Sequence, residues 1–424
     1  MTKEKKINLE NIVNLKKKNE IPKKLKTVRP YYSLNNPLDN TLIFESRFES
    51  GNLLASFKIS DNSYHLVLQN DTNTNGYSQG YFFRVSNTKK GESVTFNFVN
   101  MIKPYSMYTK GMKVLVYSEK KSELEKIGWH RGGENIQYYR NGLYKFINDR
   151  KRYLSSFIFS YTFEYENDTV YFANSIPYTY TQIMKELNEF QKQETKYDFF
   201  YRKNLCSTLA GNDMDYITIT SPYVDDIEYK NREGVVFMAR VHPGETVGSW
   251  MMKGVIDFLT SNTSEANYLR NNFIFKIIPI MNPDGVISGN YRTSLAGCDL
   301  NRRWICPNEV LHPEIYYTKQ MILKFSTHRK ISLICDLHGH SGAHNIFMYA
   351  NYLKDDSLAC KIFPFILFKI TNVFNFNQCT FRMPKCKLGT ARINLFNELN
   401  MSIPNIFTIE ASFSGASVVS YKNN

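Results

Sequence analysis

The chain has 424 residues, of which 42% are hydrophobic and 15% aromatic, and it carries a formal net charge of +14. This length and apolar content allow two folded domains with sizeable cores and exclude disorder over the whole chain. The seven cysteines lie at irregular spacing. They are atypical of a disulfide framework and favour a reducing compartment.

The amino-terminal segment is strongly basic. Residues 1–30 hold nine Lys and one Arg against three Glu, so they carry +7, half of the total charge. We predict that residues 1–40 form a loosely ordered, solvated arm, with weak attraction to an acidic partner as the alternative. The remaining positive charge favours an anionic ligand.

Targeting and nucleic-acid signals are missing from the sequence. The first residues, Met1-Thr-Lys-Glu-Lys-Lys6, lack the apolar core of a signal peptide. The apolar runs are far shorter than the roughly 20 residues that cross a membrane. Neither zinc-finger spacing nor an aromatic-interleaved basic stripe indicates nucleic-acid binding. The sequence therefore predicts a cytoplasmic protein with no membrane insertion and no nucleic-acid partner.

Residues 41–175 alternate between apolar and polar side chains. This period of two, interrupted by turns rich in Asn, Gly and Lys, predicts an antiparallel β-sandwich domain. His65 and His130 are isolated here, so we expect structural or surface roles for both. The clearest strand segments are 64–68, 81–85, 94–98, 114–117 and 157–161.

From residue 176 to 424 the pattern changes to alternating helices and strands. It predicts an α/β domain with a mixed, largely parallel sheet flanked by helices. In such sheets ligands bind beyond the carboxyl ends of the strands. The predicted strands are 235–241, 273–280, 331–335, 345–349 and 406–409. The predicted helices are 180–194, 246–261, 312–325 and 357–370.

The most informative stretch is the turn His242-Pro-Gly-Glu245, which follows a predicted strand. Its imidazole and carboxylate are three residues apart, so a tight turn can direct both at one zinc ion, which takes N and O ligands at about 2 Å. A hydrogen-bonded turn without metal is the alternative.

A third metal ligand is predicted in Asp336-Leu-His338-Gly-His340, at the end of another apolar run. We prefer His338 to His340 and His344 because Gly339 predicts the end of the strand. Three protein ligands leave a fourth position open, as in catalytic zinc sites.

Two further groups of polar residues suit chemistry at such a site. Arg292, Asn301 and Arg302 follow the turn signal Asn282-Pro-Asp-Gly285, and a guanidinium fork with an amide donor can bind a carboxylate. Glu410 ends the last predicted strand and could act as general base on a water near the metal. Surface arginines and a capping or salt-bridged glutamate are the alternatives.

Together these segments resemble the metallocarboxypeptidases, and most closely the cytosolic carboxypeptidases, which remove glutamates from tubulin and other acidic tails. The resemblance extends over residues 40–424. Its carrying segments are Tyr171–Tyr180, Ala239–Glu245, Asn282–Gly285, Tyr291–Arg292, Cys298–Arg302, Trp304, Asp336–Ser341, Asn345–Tyr349 and Thr408–Glu410.

The resemblance implies that one zinc ion is held by three side chains, those of His242, Glu245 and His338. Asp299 would orient a ligand histidine. Arg292 would stabilise the oxyanion. Glu410 would act as general base and then pass the proton to the leaving amine.

The resemblance also implies how the substrate is bound. Asn301 and Arg302 would hold the terminal carboxylate. Arg392 matches a basic position that would pair with an acidic terminal side chain, with a surface arginine as the alternative.

The predicted function is therefore a zinc carboxypeptidase that removes carboxy-terminal glutamate from acidic protein tails such as those of tubulin, with cytoskeletal association as a further expectation. The alternative is a catalytically impaired binder of such tails, because the family continues into a helix beyond the position of Glu410 and only residues 411–424 follow here. A zinc acylase of small N-acyl amino acids is a third hypothesis, against which the β-sandwich counts.

Overall fold

The computed structural model describes residues 26–28, 34, 36, 38–147, 150–193, 197–222, 226–352, 358–400 and 403–417. In these residues no helix combines the length and the apolar character that a membrane crossing requires. Most of the predicted basic arm lies outside this part of the chain. Within the arm, Lys26–Val28 forms an edge strand.

The amino-terminal half folds into two sheets that face each other across an apolar core. One sheet has the strand order β1-β3-β4-β6-β10-β9 and the other β2-β5-β11-β7-β8. The strands are β1 (Lys26–Val28), β2 (Ile43–Glu45), β3 (Leu53–Ser60), β4 (Ser63–Leu68), β5 (Phe82–Ser86), β6 (Ser93–Met101), β7 (Val114–Ser118), β8 (His130–Gly132), β9 (Glu134–Ile147), β10 (Arg150–Thr162) and β11 (Val170–Ala173), with a short helix α1 (Glu119–Glu125) after β7.

All the predicted strand segments of this half coincide with strands, and the predicted sandwich is confirmed. Alternate side chains, such as Phe96 and Phe98 of β6, are fully buried, because successive residues of a strand point to opposite faces. One pair departs from the antiparallel expectation, since β4 and β6 run parallel. Between them the chain crosses to the other sheet as β5, so β6 returns in the direction of β4.

The carboxy-terminal half contains one eight-stranded sheet with the order β12-β13-β15-β14-β16-β19-β17-β18. Its central strands are parallel and its edges include antiparallel pairs, as predicted. The strands are β12 (Phe200–Ser207), β13 (Asp213–Ile219), β14 (Glu233–Ala239), β15 (Phe273–Ile278), β16 (Ile331–His340), β17 (Ile346–Ala350), β18 (Thr380–Phe381) and β19 (Ile406–Ser412).

Helices pack on both faces of this sheet. They are α2 (Tyr180–Gln191), α3 (Asp226–Asn231), α4 (Thr246–Leu259), α5 (Ser264–Asn272), α6 (Pro283–Ile287), α7 (Pro313–His328), α8 (Ala359–Ile370) and α9 (Ala391–Glu398), with a 3-10 turn at Leu300–Arg302. The predicted turn at Asn282 is the start of the one-turn helix α6. The Asn282 side chain caps that helix by accepting a hydrogen bond from the Gly285 amide at 3.0 Å.

The parallel pairing of β14, β16 and β19 brings their carboxyl ends to one edge of the sheet. In register, Met238 lies opposite Asp336, and His338 lies opposite Glu410. Because paired residues of neighbouring strands point to the same face, His338 and Glu410 stand side by side. This edge is where the sequence places its polar candidates.

Gly339 does not end β16, so that prediction was wrong, because the strand continues to His340. The glycine serves packing instead. A Cβ at Gly339 would lie 2.3 Å from the ring of Phe413 and 2.6 Å from the side chain of Val247. Phe413 follows β19 and packs into the core of the sandwich. Its carbonyl accepts a hydrogen bond from Arg131 of β8 at 2.6 Å.

Candidate metal centre and active site

The turn after β14 is held by a buried arginine. Arg240 takes a positive φ of 62° and its side chain is 2% exposed. Its guanidinium donates hydrogen bonds to the Pro243 carbonyl at 2.7 Å and to Ser249 Oγ at 2.8 Å. These bonds connect Arg240, which precedes the turn, to Pro243 within it and to Ser249 in the helix that follows, so they hold the backbone that carries His242 and Glu245. Sequence reasoning missed this role, although an arginine at the end of an apolar run is a signal of a paired, buried cation.

His242, Glu245 and His338 meet at one point. Glu245 Oε1 lies 2.9 Å from His242 Nδ1, and Glu245 Oε2 lies 2.9 Å from His338 Nδ1. One donor atom from each of the three buried residues lies within 4.8 Å of the others. His242 Nδ1 is buried, and apart from this close contact with the Glu245 carboxylate it has no hydrogen-bond partner within the described residues. An orphaned nitrogen beside a carboxylate and a second imidazole fits a zinc ion.

The far nitrogen of each histidine ring faces a carboxylate. His242 Nε2 lies 3.1 Å from Asp299 Oδ1, and His338 Nε2 lies 2.7 Å from Asp336 Oδ2. Such contacts fix the ring orientation and leave Nδ1 free for the metal. The contact to Asp299 agrees with its expected role. Asp336 was missed, although residues two apart on a strand share a face and its position before His338 gave the signal.

The two competing histidines do not join the ligand group, although His340 lines the same cavity. The His340 ring packs against Phe347 with 5.1 Å between ring centroids. His344 Nδ1 lies 3.1 Å from Ser414 Oγ. In the described part of the chain, neither belongs to the group of ligand atoms around Glu245.

Arg292 reaches the same centre from a loop. Its Nε donates to Asp299 Oδ2 at 2.9 Å. The loop itself is tied to the sandwich by Asp71, which is 3% exposed. Asp71 accepts hydrogen bonds from the backbone amides of Tyr291, Arg292 and Thr293 at 2.6, 2.7 and 2.8 Å. Sequence reasoning missed Asp71, because no local pattern links residues 220 positions apart.

Asn301 and Arg302 lie in the 3-10 turn beyond Asp299. The Asn301 amide nitrogen Nδ2 lies 3.3 Å from His338 Nε2, and its Oδ1 accepts a hydrogen bond from the Ala391 amide at 2.9 Å. Arg302 Nη1 donates to the Asn301 carbonyl at 2.6 Å. Its guanidinium lines the cavity beside the metal ligands. The structure thus brings both residues to the candidate site.

Glu410 is half-buried beside His338 and lines the same cavity. Among the described residues, none donates a hydrogen bond to its carboxylate. The pKa of Glu410 is raised to about 7, mainly by burial and also by the charge of Glu245, while His338 and His242 act to lower it. An unpaired carboxyl group with a pKa near neutrality suits proton transfer.

The cavity at this edge of the sheet has a volume of about 570 Å³. Arg392 forms part of its wall and is 6% exposed, which excludes a surface role. The cationic side chains that line the cavity are Lys103, Arg292, Arg302, Arg382, Lys387 and Arg392. Among the described residues that line it, the only carboxylates are those of Glu245 and Glu410. Lys103, Arg382 and Lys387 were not predicted from the sequence.

Two family sequence models match the chain. Residues 44–174 match the cytosolic carboxypeptidase N-terminal domain, and residues 181–357 match zinc carboxypeptidase. The chain is 42% identical to human cytosolic carboxypeptidase 2 over 91% of its own length and 42% of that protein. It is also 42% identical to mouse cytosolic carboxypeptidase 3, over 91% and 38% of the two lengths. The chain thus spans about two fifths of these relatives.

Solved structures share the fold. A metallo-carboxypeptidase from Burkholderia cenocepacia superimposes with a TM-score of 0.71 at 20% identity, covering 88% of this chain and 90% of that one. A carboxypeptidase from Burkholderia mallei gives a TM-score of 0.72 at 20% identity, covering 90% and 91%. The likeness covers both the sandwich and the sheet that bears the candidate site.

Proposed function

Because the chain belongs to the cytosolic carboxypeptidases within the zinc carboxypeptidase family, we propose that it removes carboxy-terminal glutamate from acidic protein tails such as those of tubulin. The observation that carries this proposal is the charge of the cavity. Six cations line it, and its two carboxylates are a metal ligand and the candidate base. A terminal glutamate brings two carboxylates, which this excess of positive charge would stabilise.

The proposal assigns the metal to the three converging ligands. One zinc ion would be held by three side chains. His242 and His338 would each bind it through Nδ1, and Glu245 would bind it through its carboxylate. The ion would supply a Lewis acid that acidifies water and polarises a peptide carbonyl. Asp299 and Asp336 would hold the two imidazoles in the tautomers that binding requires.

The terminal residue of the substrate would be held at two points. Arg302 and Asn301 would bind the main-chain carboxylate through charge-assisted hydrogen bonds. Arg392 would bind the side-chain carboxylate. Its buried guanidinium has neutral oxygen partners, Ala350 O and Asn351 Oδ1, each at 2.6 Å. No carboxylate pairs with it within the described residues, so an acidic substrate side chain would complete its environment.

The chemical step would use Glu410 and Arg292. Glu410 would take a proton from the attacking water and deliver it to the leaving amine. Arg292, held by Asp299 and by its loop, would face the negative charge that develops on the carbonyl oxygen.

The setting of the activity is part of the same proposal. The names of the relatives describe them as cytosolic, which supports action in the cytoplasm. Association with the cytoskeleton follows only from the proposed substrate. The division into an arm at 1–40, a sandwich domain at 41–175 and a peptidase domain at 176–424 stays a prediction.

The test is incubation of the purified protein and zinc with a peptide that ends in glutamates, followed by mass spectrometry. We expect stepwise loss of glutamate masses. Glu410→Gln should lower the rate about 10³-fold or more while zinc content is retained. The exposed Glu134 supplies the matched control, since Glu134→Gln should leave the rate unchanged.

Two outcomes would contradict the proposal. Peptide binding without any change in mass would favour the alternative, a binder of acidic tails that does not cleave them. Release of neutral terminal residues at the same rate as glutamate would remove the assigned specificity.

A further inference from the structure

We propose that the β-sandwich extends the active site with a cationic groove, formed by Lys103, Arg150 and Arg152, that binds acidic side chains of the substrate upstream of the cleaved bond. This inference rests on the proposed carboxypeptidase function. It adds a second binding surface to the cavity that holds the terminal residue.

The groove is a second cavity that adjoins the first. It has a volume of about 670 Å³. The two cavities share three lining residues, Lys103, Tyr291 and Arg292. The second cavity therefore begins at the candidate oxyanion arginine and continues across the sandwich.

Lys103 is held firmly at the junction. It follows β6, and its carbonyl accepts hydrogen bonds from Tyr138 Oη at 2.6 Å and Ser155 Oγ at 3.0 Å. Its Nζ donates to Tyr291 Oη at 2.7 Å and Ser341 Oγ at 2.5 Å. No ion pair joins it to a carboxylate among the described residues. The ammonium group is thus positioned by two neutral hydroxyl groups, with no carboxylate partner in the described residues.

The β9–β10 hairpin supplies the outer cations. Arg150 and Arg152 are two apart on β10, so they point to the same face, and both line the second cavity. Both are exposed, and in the described residues neither is paired with a carboxylate. Among the described residues, which exclude 148–149 of this hairpin, no Asp or Glu lines the cavity. The nearby acid Asp71 is buried and already accepts the amide hydrogens of residues 291–293.

The direction of the substrate follows from the polarity of the site. Asn301, Arg302 and Arg392 line only the first cavity, where the terminal residue would bind. A carboxypeptidase substrate extends from the cleaved bond in one direction only, toward its amino terminus. The groove on the far side of Arg292 is therefore where residues upstream of the bond would lie, and its unpaired cations fit glutamate or aspartate.

The test compares two peptides that share a terminal glutamate. One has glutamates upstream, and in the other those residues are glutamines. In the double variant Arg150→Gln, Arg152→Gln we expect KM for the acidic peptide to rise about fivefold to tenfold, with kcat unchanged, because rim charges act mainly on association. KM for the glutamine peptide should stay the same. The difference in KM for the acidic peptide between the wild type and the double variant should shrink at high salt.

A matched control removes two charges outside the groove. Lys151 lies on the opposite face of the same strand, and Arg140 is exposed on β9 but does not line the cavity. Lys151→Gln, Arg140→Gln should leave both KM values unchanged. If both double variants raise KM for the acidic peptide equally, or if neither changes it, the proposed groove is wrong.

Peptide binding separates this inference from the proposed function. In the Glu410→Gln background, fluorescence anisotropy gives the Kd of each peptide without turnover. We expect tighter binding of the acidic peptide, lost when Arg150 and Arg152 are replaced. If the peptides bind in this pattern but the wild-type protein does not cleave them, the proposed carboxypeptidase activity is wrong and the groove is supported. If the protein cleaves both peptides with no preference for upstream glutamates, the activity is supported and the groove is wrong.

Discussion

Arg392 is a buried cation whose hydrogen bonds within the described residues go to neutral oxygens, those of Ala350, Asn351 and Arg382. Burial without a counter-ion lowers the pKa of its guanidinium to about 10. A buried charge of this kind is costly unless a ligand compensates it. Its place in the wall of the cavity makes the side chain of the terminal substrate residue the matching anion.

Substitution of this arginine tests the assignment. Arg392→Ala should reduce the ratio of kcat/KM for terminal glutamate over terminal glutamine by about 10²-fold or more, because the substrate carboxylate loses its bidentate partner. The ratio is measured on one enzyme sample, so partial unfolding cancels. The exposed Arg303 provides the control, as Arg303→Ala should leave the ratio unchanged. An unchanged ratio in Arg392→Ala would exclude the role.

The sequence identified residues whose signal is local. His242 and Glu245 lie in one turn, and His338 and Glu410 follow apolar runs, so the pattern placed all four at the carboxyl edge of the sheet, and the resemblance supplied their roles. Lys103 and Asp71 could not be found in this way. They act across the boundary between the two halves of the chain, through contacts that no short pattern contains.

At the scale of elements, the strands missed from the sequence include β3 and β13, which have buried faces, and the mostly exposed β9. β9 mixes polar with apolar residues and buries only Tyr138, so its pattern is weak, and it was missed although it is the longest strand in the described residues. It is stable because it pairs with β10 along most of its length. Tertiary pairing, and not its own composition, defines this strand.

Helix α7 begins with an unusual carboxyl group. Glu314, in its first turn, is 1% exposed, and its Oε2 has no hydrogen-bond partner in the described part of the chain. The pKa of Glu314 is raised from 4.5 to about 7, mainly by burial and to a smaller extent by the charge of Asp284, against a backbone hydrogen bond that lowers it. The favourable helix dipole at this end is therefore outweighed by desolvation.

The pKa of Glu314 predicts a pH dependence of stability. Between pH 4.5 and about 7 the folded state keeps this proton while the unfolded state loses it. Unfolding then releases a proton, so the free energy of unfolding falls as pH rises, by about 3 kcal/mol in all, and levels off above pH 7. Glu314→Gln should remove this fall, so the variant gains stability over the wild type at alkaline pH.

Urea denaturation of both proteins at acidic and alkaline pH checks this prediction. The difference in the free energy of unfolding between variant and wild type is taken at each pH, which cancels the contributions of the other titrating groups. The same difference at both pH values would contradict the predicted role of Glu314.

At the scale of the whole molecule, the sandwich contributes directly to the site. Asp71 accepts the amide hydrogens of three consecutive residues of the loop that carries Arg292. It does not touch the reacting atoms and is a positioning residue. Its loss would leave three backbone donors unsatisfied and release the loop from its place beside Asp299.

Asp71→Ala should therefore lower kcat about 10²-fold with a smaller change in KM, because a displacement of about 1 Å of a catalytic group has effects of this size. Asp71→Asn keeps one acceptor oxygen and should be intermediate. Steady-state kinetics with parallel zinc analysis and melting curves separate misplacement of Arg292 from loss of metal or fold. A folded, zinc-loaded Asp71→Ala protein with normal kcat would refute the role.

Phe413 joins the two halves of the molecule in a different way. It lies three residues beyond Glu410, yet its ring belongs to the core of the sandwich, and Gly339 leaves the space it needs. A sandwich of different shape would displace this ring and with it the end of β19. In evolutionary terms, the sandwich is not a part that recombination can exchange freely. Substitutions in its core are expected to be inherited together with compensating changes around Phe413, so that the two halves diverge as one unit.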